Sequence, residues 1–127
     1  MNEHKKNTIT ITVDIKRHRI RIYKATLQSL DYPKYVQLLV NPQTMMIAIK
    51  GMDKKTRDSH RVNLSVLQCD NLYELYSKQL VEKLCALMQG LDINYNYKLF
   101  GEVISEPNIA VFPLSTMRKI EYWESVT

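Results

Sequence analysis

The sequence is poor in the residues on which most catalytic and cofactor motifs depend. Its three glycines in 127 residues lie far apart, which excludes a glycine-rich loop of the kind that holds phosphate groups. Its three histidines, His4, His18 and His60, form no HxxxH or HExxH metal motif. No Ser or Cys lies in a nucleophile elbow. We therefore expect that the protein is not an enzyme and that it has no cofactor, no metal site and no small-molecule substrate.

Cysteines and long apolar runs are also scarce. The two cysteines, Cys69 and Cys85, form no CxxC pair, and Cys85 falls in an apolar helical pattern, where a buried, reduced thiol is the ordinary role. No apolar run approaches the ~20 residues that a membrane-spanning helix needs. The first residues, MNEHKKNT, lead into a strand without an apolar segment of the signal-peptide type. These features predict a cytoplasmic protein with no membrane partner.

Positive charge is concentrated in the first half of the chain. Residues 1–61 hold thirteen Lys and Arg against five Asp and Glu, a balance of +8, whereas residues 62–127 hold five against eight, a balance of −3. The length fits a single domain over residues 1–127. Such an asymmetry suggests either a face that binds a polyanion or two faces that attract each other between copies of the protein.

The clearest strand signals lie near the start of the chain. Thr8–Asp14 alternates apolar residues with threonines, and Arg19–Tyr23 alternates isoleucines with arginines, which is the period of a half-buried strand. The link Ile15–His18 predicts that the two strands pair antiparallel. We expect the outer face and the turn to contact phosphate groups through four cations, namely Lys16, Arg17, Arg19 and Arg21. The alternative interpretation is that these Thr and Arg side chains only keep an exposed sheet edge soluble.

For the remaining chain the sequence predicts two hairpins, one separate strand and three helices. In order, they are a short helix over Ala25–Leu30, a hairpin with arms Tyr35–Val40 and Met45–Lys50, a strand over Arg61–Leu67, a long helix over Asn71–Met88, a second hairpin with arms Tyr95–Ser105 and Ile109–Leu114, and a short final helix over Ser115–Tyr122. The long helix is predicted from a leucine stripe with i, i+4 spacing and from a capping box formed by Asn71 and Glu74. Gly101 suggests a bulge in the second hairpin.

The order strand, helix, hairpin occurs twice in this prediction, over residues 19–51 and 60–114. Each hairpin carries a Pro in its turn, in VNPQT and in SEPN, which favours a pseudo-repeat of two βαββ-like units. The predicted fold class is therefore α+β. We expect a mixed, mostly antiparallel curved sheet or partial barrel, with one long helix packed on the sheet.

A family resemblance rests on three segments of the first half. They are Arg19-Ile20-Arg21-Ile22, the short helix that ends near Leu30, and the hairpin sequence LLVNPQTMMIAIK. With these segments, residues 8–50 resemble the β-β-α-β-β module of AbrB-type transition-state regulators, which have a swapped-hairpin fold. Tyr23 stands where that family usually has Pro, and Asp31 where it has Gly. The resemblance implies DNA binding and a role in transcription regulation.

Two functions of different classes follow. The first is a non-enzymatic nucleic-acid-binding or regulatory module that lays the basic hairpin Thr8–Tyr23 on the phosphate backbone, with DNA as the expected partner. The second is a structural or protein-interaction subunit, derived from a mobile element or phage, that self-associates as a homo-oligomer and has no nucleic-acid role. Catalysis would require carboxylates that converge only in the folded chain, such as Asp14, Asp31 and Asp53, because pockets built from distant loops leave no sequence signal.

Overall fold

A computed structural model describes residues 8–63, 65, 71–104 and 106–121 of the chain. The described residues form nine β-strands, two helices of six and ten residues, and one 3-10 turn over Leu114–Thr116. The strands are β1 (Ile9–Asp14), β2 (Arg19–Tyr23), β3 (Tyr35–Asn41), β4 (Met46–Met52), β5 (Ser59–Arg61), β6 (Leu72–Tyr76), β7 (Asn96–Ile104), β8 (Ile109–Pro113) and β9 (Arg118–Lys119), and the helices are α1 (Lys24–Ser29) and α2 (Lys78–Leu87).

The strands form one sheet that curves into a nearly closed barrel. Its order is β5-β3-β4-β8-β7-β1-β2-β6, with β9 paired to β7 outside this path. Every pairing is antiparallel. The two end strands, β5 and β6, are joined by a side chain, since the Tyr73 hydroxyl donates a hydrogen bond to the Arg61 carbonyl oxygen at 3.1 Å. The prediction of a mostly antiparallel curved sheet or partial barrel is therefore confirmed in outline.

The barrel encloses the hydrophobic core, because alternate residues of each strand point inward. The core includes Ile11, Val13, Ile20, Ile22, Ile47, Ile49, Leu99 and Phe112 from the strands, together with Leu27 from α1 and Leu84 from α2, each at most 2% exposed. Removal of this apolar surface from water is the main favourable term for the fold. It also determines which side chains of each strand face outward.

The two hairpins predicted in the first half are confirmed. β1 pairs with β2, with Ile11 opposite Ile22, and β3 pairs with β4, with Leu38 opposite Ile49. The short helix is confirmed as α1. The second-half hairpin is also present, as β7 and β8, although Ser105, predicted in its first arm, lies outside the described residues.

The predicted long helix over Asn71–Met88 is wrong in its first part. Leu72–Tyr76 is strand β6, which pairs with β2 along its whole length. The helix begins only at Lys78, where the Ser77 hydroxyl accepts the backbone N–H of Leu80 at 3.1 Å. Asn71 and Glu74 therefore form no capping box. The spacing of Leu72, Leu75 and Tyr76 suits either element, and β2 offers a pairing edge that a sequence pattern does not show.

Two further predictions are corrected. The strand predicted over Arg61–Leu67 ends at Arg61. The Val62 N–H still bonds the Lys34 carbonyl, next to β3, at 2.9 Å. Beyond Asn63, all of that prediction except Ser65 lies outside the described residues. The final helix predicted over Ser115–Tyr122 is replaced by the 3-10 turn and β9, and Tyr122 itself is not described.

Thr116 explains why this last segment stays on the sheet. Its hydroxyl accepts the backbone N–H of Phe100 at 3.0 Å and donates to the Pro113 carbonyl at 2.6 Å. A side chain thus takes the place of the backbone ladder between the end of β8 and β9, and both strands follow the same edge of β7. After this break in the ladder, Arg118 of β9 lies opposite Lys98 of β7.

Gly101, predicted as a bulge, lies where the backbone of β8 is close to that of β7. A Cβ atom added at this position would overlap the Val111 carbonyl oxygen and contact the Phe112 ring. Glycine is therefore required here by the close approach of two backbones.

The order strand, helix, hairpin occurs twice among the described elements. It occurs first as β2–α1–β3–β4 and again as β6–α2–β7–β8. The equivalent strands pair with each other, β2 with β6 and β4 with β8.

Candidate nucleic-acid interface

The outer side of the β1–β2 hairpin carries the arginines singled out in the sequence. Ile20 and Ile22 are fully buried, so the alternate residues Arg19 and Arg21 lie on the outer side of β2. Their exposure is limited, since the side chain of Arg19 is 16% exposed and that of Arg21 is 30% exposed. Both side chains therefore lie along the sheet and are held by neighbours.

Asp14 is the first of these neighbours. It is only 3% exposed, and its carboxylate accepts the Arg17 backbone N–H at 3.2 Å, Arg17 Nη1 at 3.2 Å and Arg19 Nη2 at 3.0 Å. Burial raises the pKa of Asp14, but the hydrogen bonds from Arg17 and the charges of Arg17 and Arg19 outweigh it, so the pKa lies below its ordinary value. The carboxylate is thus ionised and fixes the conformation of the hairpin turn.

Glu74 is the second neighbour and comes from β6, 53 residues further along the chain. Its Oε2 accepts Arg21 Nε at 2.9 Å and lies 3.4 Å from Arg19 Nη1. Arg19 Nε is buried and has no hydrogen-bond partner among the described residues. Arg19 therefore contacts two carboxylates and Arg21 contacts one, so part of their charge is neutralised within the protein.

The two remaining predicted residues lie in the turn between β1 and β2. Lys16 is exposed, and Arg17 is 63% exposed even though one of its nitrogens bonds Asp14. The fold thus brings all four predicted cations to one end of the hairpin. Lys16 and Arg17 are accessible to solvent, whereas Arg19 and Arg21 are largely covered.

The sheet register adds two cations that the sequence did not reveal. Arg118 of β9 lies opposite Lys98 of β7, Lys98 lies opposite Thr12 of β1, and Thr12 lies opposite Arg21. Opposite residues share a face of the sheet, so these side chains form one row across four strands. We call the basic face the set Lys16, Arg17, Arg19, Arg21, Lys98 and Arg118. The alternation in NYKLF signals an outward Lys98, but only the register places it beside the hairpin.

The threonines of β1 are less accessible than the alternation predicts. Thr12 lies on the outer side of β1, yet it is only 2% exposed. Its hydroxyl lies 2.7 Å from the Tyr23 hydroxyl. Long side chains of neighbouring strands can cover a small central residue with their aliphatic stems. The accessible groups of this face are therefore the charged and aromatic tips.

Aromatic side chains lie on the same side of the sheet. Tyr76 lies opposite Arg19 in the β2–β6 register and is 61% exposed. Phe100 lies opposite Thr10, and its ring centroid is 5.7 Å from Lys98 Nζ, within cation–π range. The basic face thus has an exposed tyrosine ring opposite Arg19 and a half-buried phenylalanine ring beside Lys98.

A polar cavity of about 310 Å³ lies between β5 and the start of α2, and Tyr76 forms part of its wall.

A mostly apolar groove of about 560 Å³ lies on another part of the surface, on the outer side of β3, β4 and β8, where Leu39, Ala48 and Val111 align. The charged loop Lys54–Arg57 is exposed, as the sequence predicts.

Metal binding and thiol chemistry find no site among the described residues. Among the described residues, no group of three or more His, Cys, Asp or Glu side chains could hold a metal ion. Cys85 is a half-buried free thiol, and burial raises its pKa; Cys69 lies outside the described residues. Within the described chain, neither helix is long and apolar enough to span a bilayer.

In comparisons with protein-family models, curated proteins and solved structures, the chain has no significant match. The resemblance of residues 8–50 to AbrB-type modules therefore stays a prediction.

Proposed function

We propose that the protein is a nucleic-acid-binding or regulatory module that uses its basic face on the phosphate backbone. The observation that carries this proposal is the row formed by Arg118, Lys98 and Arg21 across β9, β7 and β2. A sheet register fixes the backbone positions of such a row, which lowers the entropy lost on binding. The module works in the cytoplasm and carries out no chemistry of its own.

The charge of the basic face supports the proposal. Three of its six cations contact the carboxylates of Asp14 and Glu74, and these eight groups together have a balance of +4. Neighbouring strands lie about 4.8 Å apart, so Lys98 and Arg21, two strands apart, have backbones separated by about 10 Å. A phosphate backbone laid across the strands would meet one cation after another. Contacts of this kind position a nucleic acid without reading its sequence.

The test is the salt dependence of binding, because each phosphate contact releases counterions. We expect log K to fall with log salt for a generic oligonucleotide, and the double variant Lys98→Ala/Arg118→Ala to reduce the slope by about 1.4–1.8, at roughly 0.7–0.9 per contact. The matched control is Lys54→Ala/Lys55→Ala, which removes the same charge from an exposed loop outside the face. Equal slopes for both double variants, or a parent protein that does not bind at low salt, would contradict the proposal.

A second candidate function has its own support. The apolar groove on the outer side of β3, β4 and β8 favours a structural or protein-interaction subunit, since exposed apolar patches are typical of interaction sites. Ile104, at the end of β7 and 46% exposed, extends this apolar surface. Oligomers on a sizing column together with no retention of nucleic acid would favour this candidate.

We also propose that the α+β barrel arose from two βαββ units. The support is the pairing of equivalent strands, β2 with β6 and β4 with β8, which an approximate twofold axis would produce.

A further inference from the structure

Tyr76 is an exposed aromatic residue at the edge of the basic face. It ends strand β6, has 61% of its surface exposed and lies opposite Arg19 on the outer side of the sheet. An exposed tyrosine ring gains little for folding, because its apolar surface stays in contact with water. A ring in this position is suited to stack on a planar group of a ligand.

The cavity beside Tyr76 has the groups that a nucleobase would need. Its volume is about 310 Å³, and it lies between the end of the charged loop and the start of α2. Besides Tyr76, its walls include Arg57, Asp58, Ser59, His60, Lys78 and Gln79. Amide, hydroxyl and imidazole groups bond the polar edges of bases, and the two cations suit the flanking phosphates. Asp58 adds one acceptor and one negative charge.

We infer that the protein binds single-stranded nucleic acid, with one base stacked on Tyr76 at the mouth of this cavity. This inference rests on the proposed function and names its substrate class. In a duplex the faces of the bases are stacked on one another and closed to side chains, whereas in a single strand they are free to stack on aromatic rings. A duplex would therefore contact the cations and leave Tyr76 unused.

The arrangement of charge around Tyr76 agrees with a strand that crosses the sheet. On one side lies the basic face, which reaches Tyr76 through Arg19. On the other side lie Arg57 and Lys78 in the cavity wall. Phosphates on both sides of the stacked base would thus be near a cation.

The experiment measures the affinity of labelled oligo-dT, oligo-U and a duplex of the same length by fluorescence anisotropy at one salt concentration. We expect both single strands to bind more tightly than the duplex. Tyr76→Ala should weaken single-strand binding by roughly 5- to 150-fold, the range found for loss of one stacked base, without changing the salt slope. Tyr76→Phe, which keeps the ring, should retain most of the affinity. Oligo-dU, which differs from oligo-U only in the sugar, would identify which sugar the protein favours.

The control is Tyr32→Ala, which removes another exposed tyrosine, 40% exposed, that lies after α1 and outside the basic face. Thermal unfolding of each variant checks that the fold is intact. If the duplex binds as tightly as the single strands and Tyr76→Ala has the same affinity as Tyr32→Ala, the inference is wrong while the proposed function stands. If neither form binds even at low salt, the proposed function itself is wrong.

Discussion

Arg21 of β2 donates its Nε hydrogen to Glu74 of β6 at 2.9 Å, across a strand pair whose members lie 53 residues apart in the chain. The same carboxylate oxygen lies 3.4 Å from Arg19 Nη1. One acidic side chain therefore restrains two arginines of the basic face. It also reduces the charge that they present to a polyanion.

Replacing Glu74 tests this relationship. Glu74→Gln should tighten nucleic-acid binding at low salt and steepen the salt slope by about 0.7–0.9, because one more cation becomes free to neutralise a phosphate. The loss of stability should stay under about 1 kcal/mol, since the pair is partly exposed. Glu82→Gln, on the exposed side of α2, makes the same charge change away from the basic face. If Glu82→Gln steepens the slope equally, the effect is one of net charge alone.

Asp14 should make the stability of the protein depend on pH in the acid range. Its pKa is lower in the folded than in the unfolded chain, so its contribution is complete above the unfolded pKa of about 3.9 and is lost as the pH falls below that value. Asp14→Asn should lower the free energy of unfolding by about 1–3 kcal/mol at pH 7. Urea unfolding from pH 7 to pH 2 would then show the difference from the parent shrinking below about pH 4. Asp53→Asn, in an exposed loop, should follow the parent curve; a constant difference for Asp14→Asn would contradict the prediction.

Leu84 is the most buried residue of α2, at 0% exposure. Leu84→Ala should lower the free energy of unfolding by about 2–5 kcal/mol, since it removes apolar contacts and leaves a cavity. Lys83→Ala, at the neighbouring exposed position, should change it by no more than about 0.5 kcal/mol. A loss under about 1 kcal/mol for Leu84→Ala in chemical denaturation would mean that α2 does not pack on the barrel as described.

The hydroxyl of Thr116 should contribute more to the stability of the fold than its methyl group does. Thr116→Val keeps the shape of the side chain but removes the acceptor for the Phe100 N–H and the donor to Pro113, so we expect a loss of about 1–3 kcal/mol. Thr116→Ser keeps the hydroxyl and should cost less. Faster hydrogen exchange at the Phe100 amide in Thr116→Val, but not in Thr116→Ser, would locate the effect. Equal stability of the two variants would show that the hydroxyl does not hold the segment.

The hairpins were predictable from the sequence because their signals are local. The alternation of Thr8–Asp14 and of Arg19–Tyr23, and the turn residues after Val40, fix strand and register over a few positions. β6 was not predictable in this way. Its five residues suit a helical stripe as well as a strand, and the choice depends on pairing with β2, which only the folded chain provides.

The candidate site was predictable only in part, for a similar reason. That Arg19 and Arg21 point outward follows from the buried isoleucines between them. Glu74 restrains Arg19 and Arg21 only because β2 pairs with β6. Lys98 and Arg118 lie on the same face only because β7 pairs with β1 and β9. These registers join strands that are far apart in the chain. Non-local charge pairs of this kind leave no periodic signal.

The barrel is held together differently between β5 and β6, where the Tyr73 hydroxyl bonds the Arg61 carbonyl oxygen. Elsewhere the described strands are joined by backbone ladders, but here a single phenolic hydrogen bond spans β5 and β6. Among the described residues no backbone ladder joins these two strands, so we expect this side of the barrel to open more readily than the paired strands. The cavity beside Tyr76 lies next to it. A base could therefore be admitted by a local rearrangement of side chains while the rest of the sheet keeps its hydrogen bonds.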